Sequence, residues 1–433
     1  MVLNAYLKEF PKNLKIALPI MLGQVAHLLV AFADNVMVGK LGDAQLAAVS
    51  LGNTFIFIAL SIGIGFSFSI TPLVAEADGK GDKNKVVSIF HSGFIMCLII
   101  GVVLMIITYL STPLLYFLDQ SEEVVDLAVP YTYWVAFSLI PLMVFQALKQ
   151  FVDGLSKTIY SMVASLLANV INIIVNYFLI YGKYGFPRLE VEGAAIGTFV
   201  SRVLMFLILF LILYYRKRFK IYFVRLKSYS WNIYKKIFNL GLPTSLQMFF
   251  EVSLFTIAIV LSGTLGVKSQ AANQIALNLS ALTFMVGVGL GVTATIRVGN
   301  QKGTGNIDLL KTIAKSIFLL TLMFELIFAM LFLVFHNELP AIYIGDHDVI
   351  ELAAEILIVA ALFQISDGFQ VVLLGVLRGL QDVWVPTLIC LISYWVVGFP
   401  IMYTLSNTFN LGVTGIWIGL LMALTTSALL MFM

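Results

Sequence analysis

Four carboxylates stand inside long apolar runs of this chain: Asp34, Glu251, Glu325 and Asp367. An ionised acid near the centre of a bilayer costs about 2.5 to 3.5 kcal/mol on the insertion scale, so each needs a compensating positive charge or a proton. The run before Asp34, "IALPIMLGQVAHLLVAFA", has no lysine or arginine, and none lies close to Glu251 or Asp367 on their own helices. The company of these acids is neutral. His27 precedes Asp34 by seven residues, about 20° away on a helix, so the two share a face. Asn169, Asn172 and Asn176 recur at i, i+3 and i+7 as a stripe of amides, and Thr198 adds a hydroxyl on the following helix. Arg202, one turn after Thr198, is a cation able to pair with Asp34. In the second half Gln247 precedes Glu251 by one turn, and Gln364 and Gln370 flank Asp367. Glu325 has no polar neighbour in register and reads as a surface or packing residue, and His27 reads as a hydrogen-bonded interior histidine. Amides and hydroxyls in membrane helices also serve to join helices. An acid without a standing counter-charge asks for one that comes and goes: a proton, sodium or a cationic substrate. Reversible neutralisation is how a secondary transporter works.

The elements that must hold these groups are membrane helices. The 433 residues are 60% hydrophobic and 11% charged, with mean hydropathy +0.99, which excludes a water-soluble domain. Runs long enough to cross a bilayer fall at 14–38, 46–73, 88–112, 128–150, 159–182 and 192–215, then at 236–262, 272–299, 312–336, 352–377, 386–406 and 412–433. The leading "MVLNAYLKEFPKNLK" is short, polar and basic with no small-residue cleavage site after it, so the first helix is expected to be its own insertion signal, and the chain ends inside the twelfth span. With the N-terminus in the cytosol, Lys40, Lys183, Arg188 and Lys268 fall outside, Arg202 falls in a span, and the other 21 of 26 basic residues fall inside. The opposite loops, "DQSEEVVD" (119–126) and "IGDHDVIE" (344–351), are acidic. Cys97 and Cys390 lie alone in apolar runs as packing residues, and the histidines show no metal-ligand spacing.

A shift of 224 residues lays the chain on itself. Pro19 then meets Pro243, Leu41 and Gly42 meet Leu265 and Gly266, Gly63 and Gly65 meet Gly287 and Gly289, and Gly79 and Gly81 meet Gly303 and Gly305. "VDGLSK" and "LRGLQD" continue the match more weakly. Six helices per unit is an even number, so both units enter the membrane from one face. The expected fold class is all-α integral membrane, twelve transmembrane helices in two six-helix parallel repeats. The expected division is an N-terminal lobe at 1–215, a cytosolic basic linker at 216–235 and a C-terminal lobe at 236–433. The stretch 216–236 carries eight basic residues and no acid, and is expected to lie on anionic lipid headgroups, not nucleic acid. No phosphate-binding loop occurs, and "GVGLGV" (287–292) falls in mid-span where small residues let helices approach. Nor does any nucleophile, metal cluster or tight carboxylate pair suggest an enzyme. A channel would share the composition but conduct without stoichiometric exchange.

"DNVMVGKLG" (34–42) is similar to the D-x-x-M-V-G-x-L-G signature of the multidrug and toxic compound extrusion (MATE) family, and "LPTSLQMFFE" (242–251) resembles the opening of that family's seventh helix. The resemblance covers essentially the whole chain. It implies export of amphipathic organic cations, drugs or dyes, by alternating access in exchange for Na+ or H+, with no other cofactor. Glu251 and Asp367 stand where the NorM-type branch of the family carries acids on its seventh and tenth helices, and Phe284 stands where many of its members place an aromatic. Asp34, Asn172, Asn176 and Thr198 resemble the family's N-lobe cation site, with Asn176 at a position that is an acid in some members. Gln247, Gln364 and His27 are candidates for the substrate cleft. Na+ is the preferred coupling ion, at Glu251 and Asp367 or at Asp34, Asn172 and Asn176, because amide and hydroxyl oxygens suit a hard cation. A lipid-linked precursor flippase of the same superfamily is the alternative, although such a protein is expected to line its cleft with basic residues. The expected setting is a monomer in the bacterial inner membrane.

Overall fold

In hydrocarbon each backbone amide and carbonyl must find its partner within its own segment, which leaves the helix as the outcome for apolar runs of this length. A computed structural model describes residues 2–117, 120–224 and 230–433, and it contains helices and no strands among them. In chain order the helices are α1 (Val2–Gly39), α2 (Asp43–Ser67), α3 (Ile70–Gly79), α4 (Lys83–Ser111), α5 (Glu122–Phe137), α6 (Leu139–Gly154), α7 (Thr158–Tyr181) and α8 (Glu190–Tyr215). They continue with α9 (Lys220–Val224), α10 (Trp231–Thr264), α11 (Val267–Thr304), α12 (Ile307–Val334), α13 (Glu338–Ala341), α14 (His347–Leu380), α15 (Trp384–Leu391), α16 (Phe399–Tyr403) and α17 (Gly412–Phe432). Among the described residues twelve stretches are long and apolar enough to cross a membrane, with α2 and α3 forming one of them and α5 and α6 another. Most run several residues beyond the expected apolar spans, because helical hydrogen bonding continues into the polar ends that hydropathy does not register.

The duplication is visible in the backbone. Gly42 and Gly266 take positive φ (150° and 113°) ahead of α2 and α11, and Gly81 and Gly305 do so (71° and 75°) ahead of α4 and α12. Asp82 then caps α4 by accepting from the Lys85 amide at 3.0 Å, and Asn306 caps α12 by accepting from the Leu309 amide at 3.0 Å. Ser156 and Gln381, equivalent after a one-residue insertion, share the left-handed conformation at φ 59° and 63°. One turn of backbone geometry has been used twice at each of these places.

Two compact units comprise Leu22–Ser245 in one case and Met1–Met21 with Leu246–Met433 in the other. In the latter, α11 and α14 approach so closely at Gly291 and Gly375 that a side chain on either glycine would meet the opposite backbone, and Thr295 donates to the Gly375 carbonyl at 2.9 Å. The start of α1 belongs to this unit through Arg297, which pairs with Glu9 at 2.6 Å and bonds Asn13, while Asn13 donates to Ser316 at 3.0 Å. The start of α10 belongs to the other unit, where Ser245 donates to the Ile62 carbonyl at 2.9 Å and Gly241 lies against the Phe66 ring. The compact units thus divide within α1 and α10, whereas the repeat divides at the linker. Of that linker, residues 225–229 lie outside the described residues, as does Asp119 of the first acidic loop. The described part docks Phe219 and Tyr222 into protein, with the Tyr222 carbonyl 2.9 Å from His91 Nε2, and leaves Lys217, Arg218 and Lys220 exposed.

Candidate functional site

In the Leu22–Ser245 unit the amide stripe of α7 meets the acid of α1. Asn176, fully buried, donates through Nδ2 to Asp34 Oδ1 at 2.7 Å and more weakly to Asn172 Oδ1 at 3.3 Å. The other end of the same amide, Asn176 Oδ1, has no hydrogen-bond partner and rests in the space that Gly197 of α8 leaves by lacking a side chain. Asn169 is buried with its Nδ2 also unpartnered. Thr198 turns its hydroxyl to the Ala194 carbonyl of its own helix at 3.0 Å. Arg202 donates to Ser138 Oγ at 2.6 Å, at the break between α5 and α6, and acts electrostatically on His27 and Tyr131. Asp34 therefore takes an amide as its hydrogen-bond partner, and the guanidinium anticipated beside it is engaged elsewhere. His27, on α1 with Asp34, is exposed.

The second unit assembles more acid. Asp367 on α14 is within electrostatic reach of both Glu251 on α10 and Glu325 on α12. Asp367 Oδ1, Glu325 Oε2, Gln370 Oε1 and both polar atoms of Gln364 are buried and unpartnered. Gln370 donates from Nε2 to the hydroxyl of Tyr394, itself wholly buried and within reach of Glu251 and Asp367. Gln247 is committed to structure: it donates to the Val383 carbonyl (3.1 Å) and Thr387 (3.0 Å) and accepts from Arg378 Nη2 (3.0 Å). Arg378 also acts on Glu251 electrostatically. Phe284 is half-buried on α11.

The model of the MatE family matches residues 19–178 and 243–404, one copy in each half. The multidrug resistance protein NorM of Photobacterium profundum is 32% identical over 438 residues, spanning 100% of this chain and 96% of that protein. The chain belongs to the MatE family. Multidrug resistance protein MdtK of Yersinia enterocolitica, at 32% identity, covers 99% of this MatE chain and 95% of its own length. The fold agrees with the crystal structure of the eukaryotic MATE transporter AtDTX14, with a TM-score of 0.90 at 20% identity over 99% of this chain and 95% of that one.

Within the MatE chain, then, Asp34, Asn172 and Asn176 come together in one unit and Glu251 and Asp367 in the other. Thr198 adjoins the first group through Gly197 on α8, while its hydroxyl serves its own helix. Gln364 stays buried beside Asp367. Three further polar residues belong to the second group: Glu325, Arg378 and Tyr394. Glu325 is 1% exposed, not at the surface, and its polar company comes from other helices, which its own helical register does not reveal. Arg378 lies eleven residues beyond Asp367, about 16 Å along the helix axis, and reaches Glu251 only because α10 and α14 pack together.

Proposed function

We propose that this chain is a secondary active antiporter that exports amphipathic organic cations from a bacterial cell, in exchange for Na+, by alternating access. The multidrug resistance proteins that cover its full length support the substrate class. The observation that carries the reading is the state of the intramembrane acids: no salt bridge among the described residues engages Asp34, Asp367 or Glu325. Such an acid is stable in a membrane only when something positive occupies it, and an exchanging cation meets that need for part of each cycle. Asp34 with Asn172 and Asn176 offers oxygen ligands in one unit, and Glu251 with Asp367 does so in the other. Amide and carboxylate oxygens suit sodium. A proton is the second reading, favoured by the enclosed, unpartnered oxygens of Asp367 and Glu325, which a proton satisfies as readily. The protein acts in the inner membrane as a monomer with its N-terminus in the cytosol, an orientation that the basic residues support.

The test is efflux of a fluorescent organic cation from proteoliposomes under imposed Na+ or H+ gradients. Wild-type protein should accumulate the dye against its gradient when Na+ flows the other way, and Asp34→Asn, Glu251→Gln and Asp367→Asn should weaken that coupling. Transport that survives without a sodium gradient but collapses with the pH gradient selects the proton. Normal export by all three variants sinks the assignment of the acids.

A further inference from the structure

Glu325 occupies a notch built from two helices. Its Oε1 lies 3.7 Å from where a side-chain carbon on Gly287 of α11 would stand, and 2.5 Å from the same point on Gly368 of α14. An alanine at Gly368 would also meet Glu325 Cγ at 2.7 Å and Cδ at 2.8 Å. The carboxyl fills the space the glycine leaves, and its Oε2 has no hydrogen-bond partner.

The other repeat contains the same contact with its parts exchanged. Gly287 corresponds to Gly63, Glu325 to Gly101 and Gly368 to Met143. There Met143 of α6 supplies the bulk: a side chain on Gly63 would meet its Sδ at 2.7 Å, and one on Gly101 would meet its Cβ at 3.0 Å. An apolar thioether fills the volume in one unit and a carboxyl fills it in the other. Packing therefore does not call for an acid at position 325, and an acid costs more there than methionine would.

From this we infer that Glu325 is a third exchangeable carboxyl of the transporter, a proton-carrying residue distinct from Glu251 and Asp367 and coupled to Asp367 through the field. The inference rests on the exporter reading. Among the described residues no group of three or more His, Cys, Asp or Glu side chains could hold a metal ion, so Glu251, Glu325 and Asp367 do not close together round one cation. A proton is the neutralising partner that fits an enclosed oxygen. The groups facing it are few. Asp367 on α14 and, beyond it, Glu251 on α10 are the acids. On α11 the charged residues Lys268, Arg297 and Lys302 lie towards the ends, and Arg297 is paired with Glu9 of α1. On α12 itself Lys311 and Lys315 are at least ten residues away, and Arg378 of α14 acts on Glu251. No salt bridge among the described residues engages Glu325, and its charge is felt by Asp367. Losing its proton makes a positive charge at Asp367 easier to hold, and by reciprocity a cation at Asp367 draws the proton off Glu325.

Glu325→Met fills the notch with an apolar thioether as in the other repeat, though from α12 where that repeat fills it from α6, while Glu325→Gln keeps the shape. Proton uptake by the purified full-length protein, followed with a pH indicator during titration, should be about one proton lower in both variants than in wild type. In proteoliposomes both should still export dye but with a flattened pH profile, and cation binding at Asp367 should shift by roughly 5- to 150-fold, the usual span of coupled sites. Melting temperatures equal to or above wild type would confirm that the change is not one of folding. Equal proton uptake in wild type and both variants, or an unaltered pH profile, would overturn the proposal. If wild-type protein moves no organic cation the exporter reading fails by itself, and the proton count still decides the chemistry of Glu325.

Discussion

Replacing Gly197 by alanine tests the geometry of the Asp34 site at its tightest point. The added methyl would overlap Asn176 Oδ1 and stand 2.9 Å from Asn176 Cγ. Helix backbones on both sides prevent a large retreat, so the amide must turn or the helices must part. Turning it breaks the 2.7 Å bond from Nδ2 to Asp34, and a hydrogen bond to a charged group contributes about 1.5–3 kcal/mol. Parting the helices instead carries the usual cost of overpacking, about 1–3 kcal/mol. The two are alternative ways to relieve one overlap, so the expected loss is about 2–3 kcal/mol and not their sum. The assay is unfolding of the purified protein in detergent, with Gly197→Ala introduced into both wild type and Asn176→Ala. Without the amide the methyl has room, and its cost should fall below about 0.5 kcal/mol, the level at which independent sites add. The same loss in both backgrounds would show that the α7–α8 contact, not the amide, is what the glycine protects. The account of Asn176 as wedged between Gly197 and Asp34 would then be wrong.

Two other perturbations probe the frame that holds the acids. Arg297→Ala removes the 2.6 Å partner of Glu9 while Lys12 still pairs with it at 2.8 Å; the protein should lose about 1.5–3 kcal/mol, the worth of a hydrogen bond to a charged group, seen as a lower melting temperature, and an unchanged one would contradict the pairing. Asp82→Ala and Asn306→Ala remove equivalent helix caps, each bonded at 3.0 Å, and each should cost about 1 kcal/mol by the same unfolding measurement. A large difference between them would argue that the two repeats do not use the cap alike.

What could be read before the structure was whatever one helix carries by itself. Asn172 and Asn176 recur on one face of α7, and Asp34 interrupts an apolar run, so their candidacy was legible from spacing. Their bond was not, because it joins α1 to α7 across 142 positions. Arg202 shows the limit from the other side: one turn from Thr198, it looked like a partner for Asp34, but the break between α5 and α6 brings Ser138 to it instead. Gln247 looked available beside Glu251, yet α15 and Arg378 use its amide fully. Glu325 was the hardest case. Its neighbours on α12 are apolar, and the two glycines that receive it are 38 and 43 positions away. A glycine absent of side chain leaves no mark in sequence of what enters its place.

The same comparison explains how one scaffold came to hold two different sites. Positions that steer the backbone have stayed alike in the two repeats: Gly42 with Gly266, Gly81 with Gly305, Asp82 with Asn306, Ser156 with Gln381. Those that carry charge have not. Glu251 stands where the first repeat has His27, Asp34 where the second has Ala258, and Glu325 where the first has Gly101. A left-handed turn tolerates few residues, whereas a side chain facing a loosely specified space is free to change provided something of similar volume fills it, as Met143 and Glu325 demonstrate. The charge balance differs accordingly. The candidate group of one unit sets Asp34 against amides, and that of the other sets Glu251, Glu325 and Asp367 near the guanidinium of Arg378. On the exporter reading proposed above, the second group has more carboxylates to neutralise than the first, so the two would not exchange the same number of ions.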